Sequence, residues 1–292
     1  MNDRSDNKNN DLDFSNTMKN LNAELVLRNF SPKTVKAYSY HVKKFLEFTK
    51  KNPLNITKND VRDYLVYLSS SKEVKPATFN LILSSLTFYF ENAMKRRMKI
   101  DFKRAKLEQN IPTVISREDV LKLINACSNI KHRLLIEVMY SSGLRVSECL
   151  ALKIKDLNLD KNYGIVKRGK GNKDRYFMIG KRLKEDIELY LSSRAGNDKS
   201  NIYLFPDHVG HLCVRTAQCV LQNAKKNARL GYRVYCHALR SSFATHLLED
   251  GVDIHTVQKL LGHSNIRTTL AYIKYSPKQI SSIKNPLDRL FE

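Results

Sequence analysis

Strand-like patterns are confined to one short stretch of this sequence, and helical patterns fill most of the rest. Two β-type runs, 163–167 and 175–179, flank a Gly-Lys-Gly-Asn turn, which is the pattern of a hairpin. Elsewhere apolar residues recur at helical spacing behind capping signals such as Ser31-Pro32. We therefore expect a mainly α protein with a small β-hairpin or sheet, and no repeat indicates a solenoid.

A polar segment with Pro112 near its end divides the sequence into two helical parts. Ser116 with Asp119 forms a capping pattern just beyond it, so a second domain is expected to start there. About four helices precede the linker, enough for a small bundle. The expected divisions are a disordered tail at 1–14, a helical domain at 15–105, a linker at 106–114, an α-rich domain at 115–277 and a tail at 278–292.

The charge of the chain favours a polyanionic partner. Lys and Arg number 51 against 29 Asp and Glu, a net charge of +22, and the excess is present on both sides of the linker. Nucleic acid is the expected partner, with a generally basic surface as the alternative.

No apolar run is long enough for a membrane span, and the N-terminus lacks the apolar core of a signal peptide. The five cysteines form no CxxC pair, so we expect free thiols, a cytoplasmic protein and no membrane partner.

Two segments carry arginines suited to holding an anion. Arg145 begins a helix in SGLRVSE, with Glu148 three residues later, and His237 and Arg240 share a helix face in HALR. A guanidinium at the start of a helix suits an oxyanion. A surface salt bridge would give the same Arg–Glu spacing, and a lone histidine is more often structural than catalytic.

Two further segments carry a lysine and a tyrosine. Lys170 lies between glycines in GKGNKDR, which lacks the Walker spacing, and a solvated basic turn is the alternative. Tyr272 follows His263 by nine residues in LGHSNIRTTLAY, and a core aromatic is the alternative. No carboxylate cluster or zinc-type histidine spacing accompanies these residues. We therefore expect no metal and no cofactor, and a site that neutralises phosphate with its own cations.

The order of these motifs resembles the tyrosine recombinase/integrase family, and most closely its Xer-type branch. SGLRVSECLALK, GKGNKDR and the run from HALR to TTLAY carry the resemblance, which covers 115–275. The segment SPKTVKAYSYHVKKFLEF more loosely resembles the family's core-binding domain. Tyr235 and Cys236 precede His237 where the family pattern has a proline. The resemblance implies a core-binding helical bundle at 15–105 and a catalytic domain at 115–277.

The resemblance also implies a covalent reaction on DNA. Tyr272 would be the nucleophile that forms a 3′-phosphotyrosyl bond, with Tyr275 as the alternative. Arg145 and Arg240 would hold the non-bridging oxygens of the scissile phosphate, where bidentate guanidinium geometry suits them. The bond stores the energy of the phosphodiester, so neither metal nor ATP is expected.

The remaining residues of the set would move protons or orient their neighbours. By the same resemblance His237 would act as general base and Lys170 as the general acid for the departing 5′ oxygen. His263 would hydrogen-bond the phosphate, and Glu148 would orient adjacent groups.

Both domains are expected to grip double-stranded DNA at a specific site. By resemblance the helix over 214–227 enters the major groove, and a basic run at the end of the first domain holds phosphates. The expected DNA contacts are Arg215, Gln218, Lys225, Lys226, Lys95, Arg96, Arg97, Lys103 and Arg104. The resemblance further implies a tetramer on two DNA sites, with the C-terminal tail reaching a neighbouring protomer. Packing of the tail on its own domain is the alternative, and an accessory activator protein is compatible with either.

Xer-like resolution of chromosome or plasmid dimers is the function that the resemblance implies. Three alternatives remain open from the sequence. They are integration of a mobile element, DNA relaxation of the type IB topoisomerase kind, and DNA binding by a regulator without catalysis.

Overall fold

The chain folds into two compact units, residues 1–109 and 110–292, which are described separately. The structure is a computed structural model. It describes the backbone of residues 3–70, 74–96, 98, 100, 102–107, 112–167, 174–194, 202–208, 210–263 and 265–272, and the side chains from residue 14 onward.

The first unit is a helical bundle. Its helices are α1 (Asp3–Leu27), α2 (Pro32–Thr49), α3 (Lys58–Ser70) and α4 (Pro76–Phe88), and α4 runs into a π-helical turn at Tyr89–Ala93. Ser31 caps α2 by accepting a hydrogen bond from the backbone N–H of Thr34 at 3.2 Å. Phe45, Leu86 and Phe90 lie in the core of the bundle. The expected number of helices is thus found among the described residues.

The first helix starts earlier than the sequence predicts. Residues 3–14 were expected to be disordered, yet α1 begins at Asp3. Neither glycine nor proline interrupts this stretch, and its C-terminal part is anchored by the buried side chains of Leu21 and Leu25. A helix nucleated on such an anchor extends at little cost through residues of ordinary propensity.

The second unit is mostly helical around two small antiparallel sheets. The helices are α5 (Arg117–Asn125), α6 (Ile130–Ser141), α7 (Val146–Leu150), α8 (Lys181–Arg194), α9 (Val214–Asn227), α10 (Cys236–Glu249), α11 (Ile254–Leu261) and α12 (Arg267–Leu270). The strands are β1 (Leu157–Asn158), β2 (Tyr163–Val166), β3 (Arg175–Met178), β4 (Pro206–Asp207) and β5 (Gly210–His211), paired in the orders β1-β2-β3 and β4-β5. The mainly α fold with a small sheet is therefore confirmed.

The pairing of β2 with β3 depends on a glycine. Gly164 lies opposite Phe177, and a Cβ at Gly164 would lie 2.1 Å from Cζ of that ring. Phe177 is buried and faces the core, so the strands keep their register only if Gly164 stays without a side chain. This register also sets the position of Arg175, which pairs with Val166 at the start of β3.

Helix α10 lies at the centre of the second unit and is buried along most of its length. It packs against α6 and α11. The hydroxyl of Ser242 accepts a hydrogen bond from the backbone N–H of Ile115 at 2.8 Å, which ties the start of the unit to this helix. In the part of the chain that the structure describes, no helix is long and apolar enough to cross a membrane.

Candidate active site

Helix α7 presents Arg145 at its first turn. Arg145 is the N-cap residue, and its backbone N–H donates to Oε2 of Glu148 at 2.9 Å. Its Nη1 donates to Oε1 of the same carboxylate at 2.9 Å. The segment LRVSE thus caps its own helix, because Glu148 accepts hydrogen bonds from both the backbone and the guanidinium of Arg145.

Glu148 also binds a second arginine, which comes from β3. Nη1 and Nη2 of Arg175 donate to the two oxygens of Glu148 at 3.0 and 2.6 Å. Burial by itself would raise the pKa of this carboxyl. The hydrogen bonds from Arg175 and Arg145 outweigh burial and lower the pKa of Glu148 to about 2. The carboxylate is therefore ionised at every physiological pH.

Arg240 is the largest of the fully buried side chains, with 1% of its surface exposed. Its Nη1 donates to the carbonyl of Gly143 at 2.7 Å, and its Nη2 donates to the carbonyl of Leu261 at 2.6 Å. Its Nε is buried without a hydrogen-bond partner. Burial, followed by the positive charge of Arg145, lowers the pKa of Arg240 to about 10, so the guanidinium remains charged at neutral pH.

His263 is held in one tautomer by its two neighbours. Its Nε2 lies 3.0 Å from Nη2 of Arg240, and its Nδ1 lies 2.9 Å from Oγ1 of Thr269. A guanidinium only donates, so Nε2 accepts, and the ring hydrogen must lie on Nδ1 and point to Thr269. Burial and then the charge of Arg240 lower the pKa of His263 to about 4, so the ring is neutral near pH 7.

His237 stands in the first turn of α10. Tyr235, the N-cap residue of this helix, makes no side-chain capping hydrogen bond. His237 is exposed at its surface, although the residues on either side of it, Cys236 and Ala238, are buried. Partial desolvation, followed by the charges of Arg240 and Arg145, lowers the pKa of His237. A neutral imidazole beside an uncapped helix start is suited to accept a proton near an anion.

Tyr272 lies in a small hydrophobic cluster next to these residues. It packs with Phe243, Val257 and Leu261, and 5% of its surface is exposed. Its ring stacks on that of His263, with centroids 6.1 Å apart and planes inclined by 20°. The tyrosine is therefore adjacent to the arginine and histidine cluster and shielded from solvent.

Several predicted residues fall outside the described part of the chain. Lys170 at the tip of the hairpin, the alternative nucleophile Tyr275, the basic residue Arg97 and the tail at 278–292 belong to this group. Among the described residues, no group of three or more His, Cys, Asp or Glu side chains could hold a metal ion.

The structure adds two residues that sequence reasoning missed. Arg175 is the last residue of the GKGNKDR motif and was assigned only to a strand. Thr269 precedes Tyr272 by three residues and is completely buried. The available signals were a charged residue at the start of a half-buried strand and a threonine one helical turn before the tyrosine. Neither signal identifies the partner, because both partners come from other elements.

Helix α9 carries the residues that were expected to read DNA. Arg215, Gln218 and Lys226 are exposed and Lys225 is half-buried. Ala217, Val220, Leu221 and Ala224 bury the opposite face of this helix in the core. The polar face is thus available to a partner along the length of α9.

In the first unit the predicted basic residues do not all face solvent. Lys95, Lys103 and Arg104 are exposed. Nη1 of Arg96 instead donates to the carbonyls of Pro53 and Ile56, at 3.3 and 3.0 Å. Arg96 therefore stabilises a loop of the bundle.

Comparison with known proteins identifies the family. The family model described as the phage integrase family matches residues 113–279, more than half of the chain. This chain belongs to the phage integrase family. A second model of the family, described as the phage integrase N-terminal SAM-like domain, matches residues 18–100.

Relatives within the phage integrase family resemble the chain over nearly its whole length. Tyrosine recombinase XerA of Pyrococcus horikoshii is 34% identical over 260 residues, which are 88% of this chain and 88% of that protein. A putative integrase/recombinase of Sinorhizobium fredii is 32% identical over 280 residues, which are 92% of this chain and 88% of that protein. The crystal structure of XerA recombinase matches with a TM-score of 0.55 and 27% identity, and covers 91% of this chain and 95% of that one. The resemblance to the tyrosine recombinases is thus confirmed, and the chain is an enzyme of that class.

Proposed function

We propose that this chain is a site-specific DNA recombinase that cleaves and rejoins strands through a 3′-phosphotyrosyl bond to Tyr272. One observation carries the proposal. Arg145, Arg175 and Arg240 surround the single carboxylate of Glu148, and the stacked pair of His263 and Tyr272 lies beside them.

The charges of this cluster call for an anion. Three guanidiniums share one carboxylate, and the nearby histidines are neutral at pH 7 because their pKa values are lowered. The lowered pKa of Arg240 reflects burial and repulsion by Arg145 that Glu148 does not cancel. The buried Nε of Arg240 also has no acceptor. A phosphodiester would supply both the negative charge and the oxygen acceptors, and bidentate guanidinium donors suit it.

The phosphate would gain most of this stabilisation in the transition state. Negative charge on the non-bridging oxygens grows as the tyrosine oxygen attacks, so donors already in position act most strongly there. Arg145 is partly exposed and fixed by Glu148, which suits it for first contact with the phosphate. Arg240 is held by backbone carbonyls and needs only small shifts to exchange one of them for a phosphate oxygen.

The nucleophile must leave its cluster to react. Tyr272 follows the four-residue helix α12 and is 5% exposed, so its hydroxyl has to turn outward to meet a phosphate. We propose that DNA binding releases it. His237 would take the phenolic proton. After losing its contact with Arg240, His263 would donate a hydrogen bond to the phosphate from Nε2, which requires the ring hydrogen to move from Nδ1 to Nε2. Lys170 would protonate the departing 5′ oxygen.

Recombination then follows from a second transesterification. The phosphotyrosyl bond conserves the energy of the phosphodiester, and a 5′-hydroxyl from a partner duplex attacks it and releases Tyr272. Two duplexes with two cleavages each require four active sites. We therefore propose a tetramer on two DNA sites.

The division of labour follows the two parts of the chain. Residues 15–105 would form the core-binding domain, 106–114 the linker, 115–277 the catalytic domain and 278–292 the contact to a neighbouring protomer. Both domains would hold double-stranded DNA, the second through the polar face of α9. The enzyme would work in the cytoplasm, where an accessory protein could activate the complex.

Dimer resolution of the Xer kind is the biological role we favour. The XerA relative and the XerA structure support this role, since both align with nearly the whole chain. Integration of a mobile element is the second candidate, and the relative described as a putative integrase/recombinase supports it.

Covalent capture tests the proposal. The purified protein is incubated in EDTA, without ATP, with sheared genomic DNA of its source organism and with nicked duplexes built from the captured sequences. Denaturing gels then detect protein-linked DNA. Wild type and Tyr275→Phe should form the adduct at one defined sequence, and Tyr272→Phe should not.

The alternatives give different results. Relaxation of supercoiled plasmids that lack the captured sequence would indicate a topoisomerase. Tight DNA binding without any adduct would indicate a regulator, and an adduct lost in Tyr275→Phe would overturn the choice of nucleophile.

A further inference from the structure

Arg175 connects three elements of the site and is not among the residues proposed to bind the phosphate or to move a proton. It lies at the start of β3, and 10% of its side chain is exposed. Two of its nitrogens bind Glu148 on α7, and its Nε donates to the carbonyl of Leu260 on α11 at 3.2 Å. All three guanidinium nitrogens thus donate to protein acceptors, which hold the side chain of Arg175 in place.

We propose that Arg175 is a positioning residue that occupies both oxygens of Glu148 and so keeps Arg145 and Arg240 available for the scissile phosphate. The proposal rests on the proposed recombinase function and concerns the same site.

The carboxylate would otherwise compete with the phosphate. Oε2 of Glu148 lies 4.0 Å from Nη1 of Arg240, just beyond hydrogen-bond distance. Arg175 contacts this same oxygen at 2.6 Å and thereby holds it away from Arg240. Without Arg175, Glu148 would have free lone pairs in a poorly solvated site and would move toward the remaining guanidiniums. Each additional guanidinium N–H of Arg145 or Arg240 that Glu148 binds is one fewer donor for the DNA.

The third contact ties this arrangement to His263. The end of α11 passes over the Arg175 side chain, and a Cβ at Gly262 would lie 2.7 Å from its Cδ. Gly262 also has φ +64°, which favours glycine. His263 is the residue after Gly262. Because Arg175 contacts the C-terminal end of α11, it helps to set the separation of α11 from α7 and so the distance between His263 and Arg240.

The charged groups around Glu148 come from three elements. Arg145 approaches from α7, Arg175 from β3 and Arg240 from α10. Of these, Arg175 makes the strongest contribution to keeping the carboxyl ionised. Burial raises the pKa of Glu148 and Arg175 lowers it, so the pKa should rise when Arg175 is removed.

Single-turnover cleavage of a nicked DNA site tests the role of Arg175. The variants are Arg175→Ala, Arg175→Lys, Glu148→Gln and the double variant Arg175→Ala/Glu148→Gln. Arg182→Ala serves as control, because Arg182 also pairs with a buried carboxylate, Asp186, at 3.0 Å but lies on α8. DNA affinity and thermal unfolding are measured for every variant.

The expected pattern separates positioning from mere stability. Arg175→Ala should slow cleavage about 10- to 100-fold with little change in DNA affinity, which is the usual effect of losing a residue that orients the groups in contact with the ligand. Arg175→Lys should fall in between, because one ammonium cannot bind both oxygens and Leu260. The rate of Arg175→Ala should also fall more steeply than that of wild type as the pH is lowered toward 5. Once Glu148 is glutamine, the additional loss from Arg175→Ala should be small.

Other results would overturn the inference. Cleavage by Arg175→Ala at the wild-type rate, losses that multiply fully in the double variant, or equal losses in Arg182→Ala would each do so. Failure of both Arg175 variants to fold would assign the residue to folding alone. If neither the wild-type protein nor Tyr272→Phe forms a covalent adduct with DNA, the proposed function itself fails. This outcome differs from failure of the Arg175 proposal, in which the wild-type protein still forms the adduct.

Discussion

Nη2 of Arg240 lies 3.0 Å from Nε2 of His263, and this contact requires Nε2 to be the acceptor nitrogen of the ring. Two residues expected to bind the same phosphate therefore bind each other. Burial, followed by the charge of Arg240, lowers the pKa of His263 to about 4, so the ring is neutral near pH 7 with its hydrogen directed at Thr269. We expect a bound phosphate to compete with the contact between His263 and Arg240 for the guanidinium of Arg240.

Thr269→Val should weaken both the fold and the reaction. The substitution removes the acceptor for the Nδ1–H of His263 and leaves a buried donor unpaired, at a cost of about 1–3 kcal/mol. Imidazole nitrogen shifts in NMR spectra should show a change in tautomer population, and cleavage should slow. Thr268→Val is the matched control, since Thr268 is exposed. Unchanged imidazole shifts in Thr269→Val would contradict the assigned tautomer.

The stability of the protein should fall as the pH drops from 6.5 to about 4. His263 has a pKa of about 4 in the folded chain, below its ordinary value of 6.5. In this window the unfolded state binds more protons than the folded state, so the stabilisation present above pH 6.5 is lost on acidification. The pKa values of other histidines are lowered in the same direction, namely His41, His132, His237 and His246.

Urea unfolding between pH 4 and 8 measures this dependence. His263→Asn should remove about 1–3 kcal/mol of the change over the window. His255→Asn, at an exposed histidine on α11, is the comparison variant. An identical pH profile for wild type and His263→Asn would show that this ring does not titrate as its surroundings require.

Gly143→Ala should be far more destabilising than Gly251→Ala. Both glycines have positive φ, +59° and +84°, so each alanine carries backbone strain of about 1–2 kcal/mol. A Cβ at Gly143 would in addition lie 2.3 Å from Cδ1 of the buried Phe243, whereas a Cβ at Gly251 meets no atom within 4 Å. Overpacking should add about 1–3 kcal/mol at Gly143 alone.

The consequence should extend to cleavage, because the carbonyl of Gly143 accepts a hydrogen bond from Arg240. Denaturant unfolding and single-turnover cleavage of the two variants provide the comparison. Equal losses of stability at the two positions would mean that the ring of Phe243 yields, contrary to its burial.

Lys103→Ala and Arg96→Ala should affect DNA binding in different ways. Lys103 is exposed, so its removal should lower the slope of log affinity against log salt by about 1. Arg96 donates to Pro53 and Ile56, so its removal should mainly lower the unfolding temperature. Fluorescence titrations of duplex DNA at several salt concentrations distinguish the two effects. A lowered slope in Arg96→Ala with unchanged stability would assign Arg96 to the DNA interface.

Local pattern was sufficient for most of the helices. Ser31-Pro32 and Ser116 with Asp119 both cap helices where the sequence predicts them, because a cap involves only residues three apart. The hairpin was predictable for the same reason. The two-residue strands β1, β4 and β5 were missed, since two residues show no periodicity. The helical start of the chain was missed as well, because polar composition alone does not distinguish a helix from a disordered segment.

The amino-acid sequence by itself determined the family, the helical class, and the identity of the arginines, histidines and tyrosine that meet in the second unit. The tertiary structure alone decided which of them touch. Arg175 and Glu148 are 27 positions apart, and Arg175 and Leu260 are 85 apart, so no helical or strand period relates them. The burial of Arg240 and Tyr272 and the tautomer of His263 likewise arise from packing between α6, α10, α11 and α12. Contacts at such separations depend on how whole elements pack, which short-range propensities do not specify.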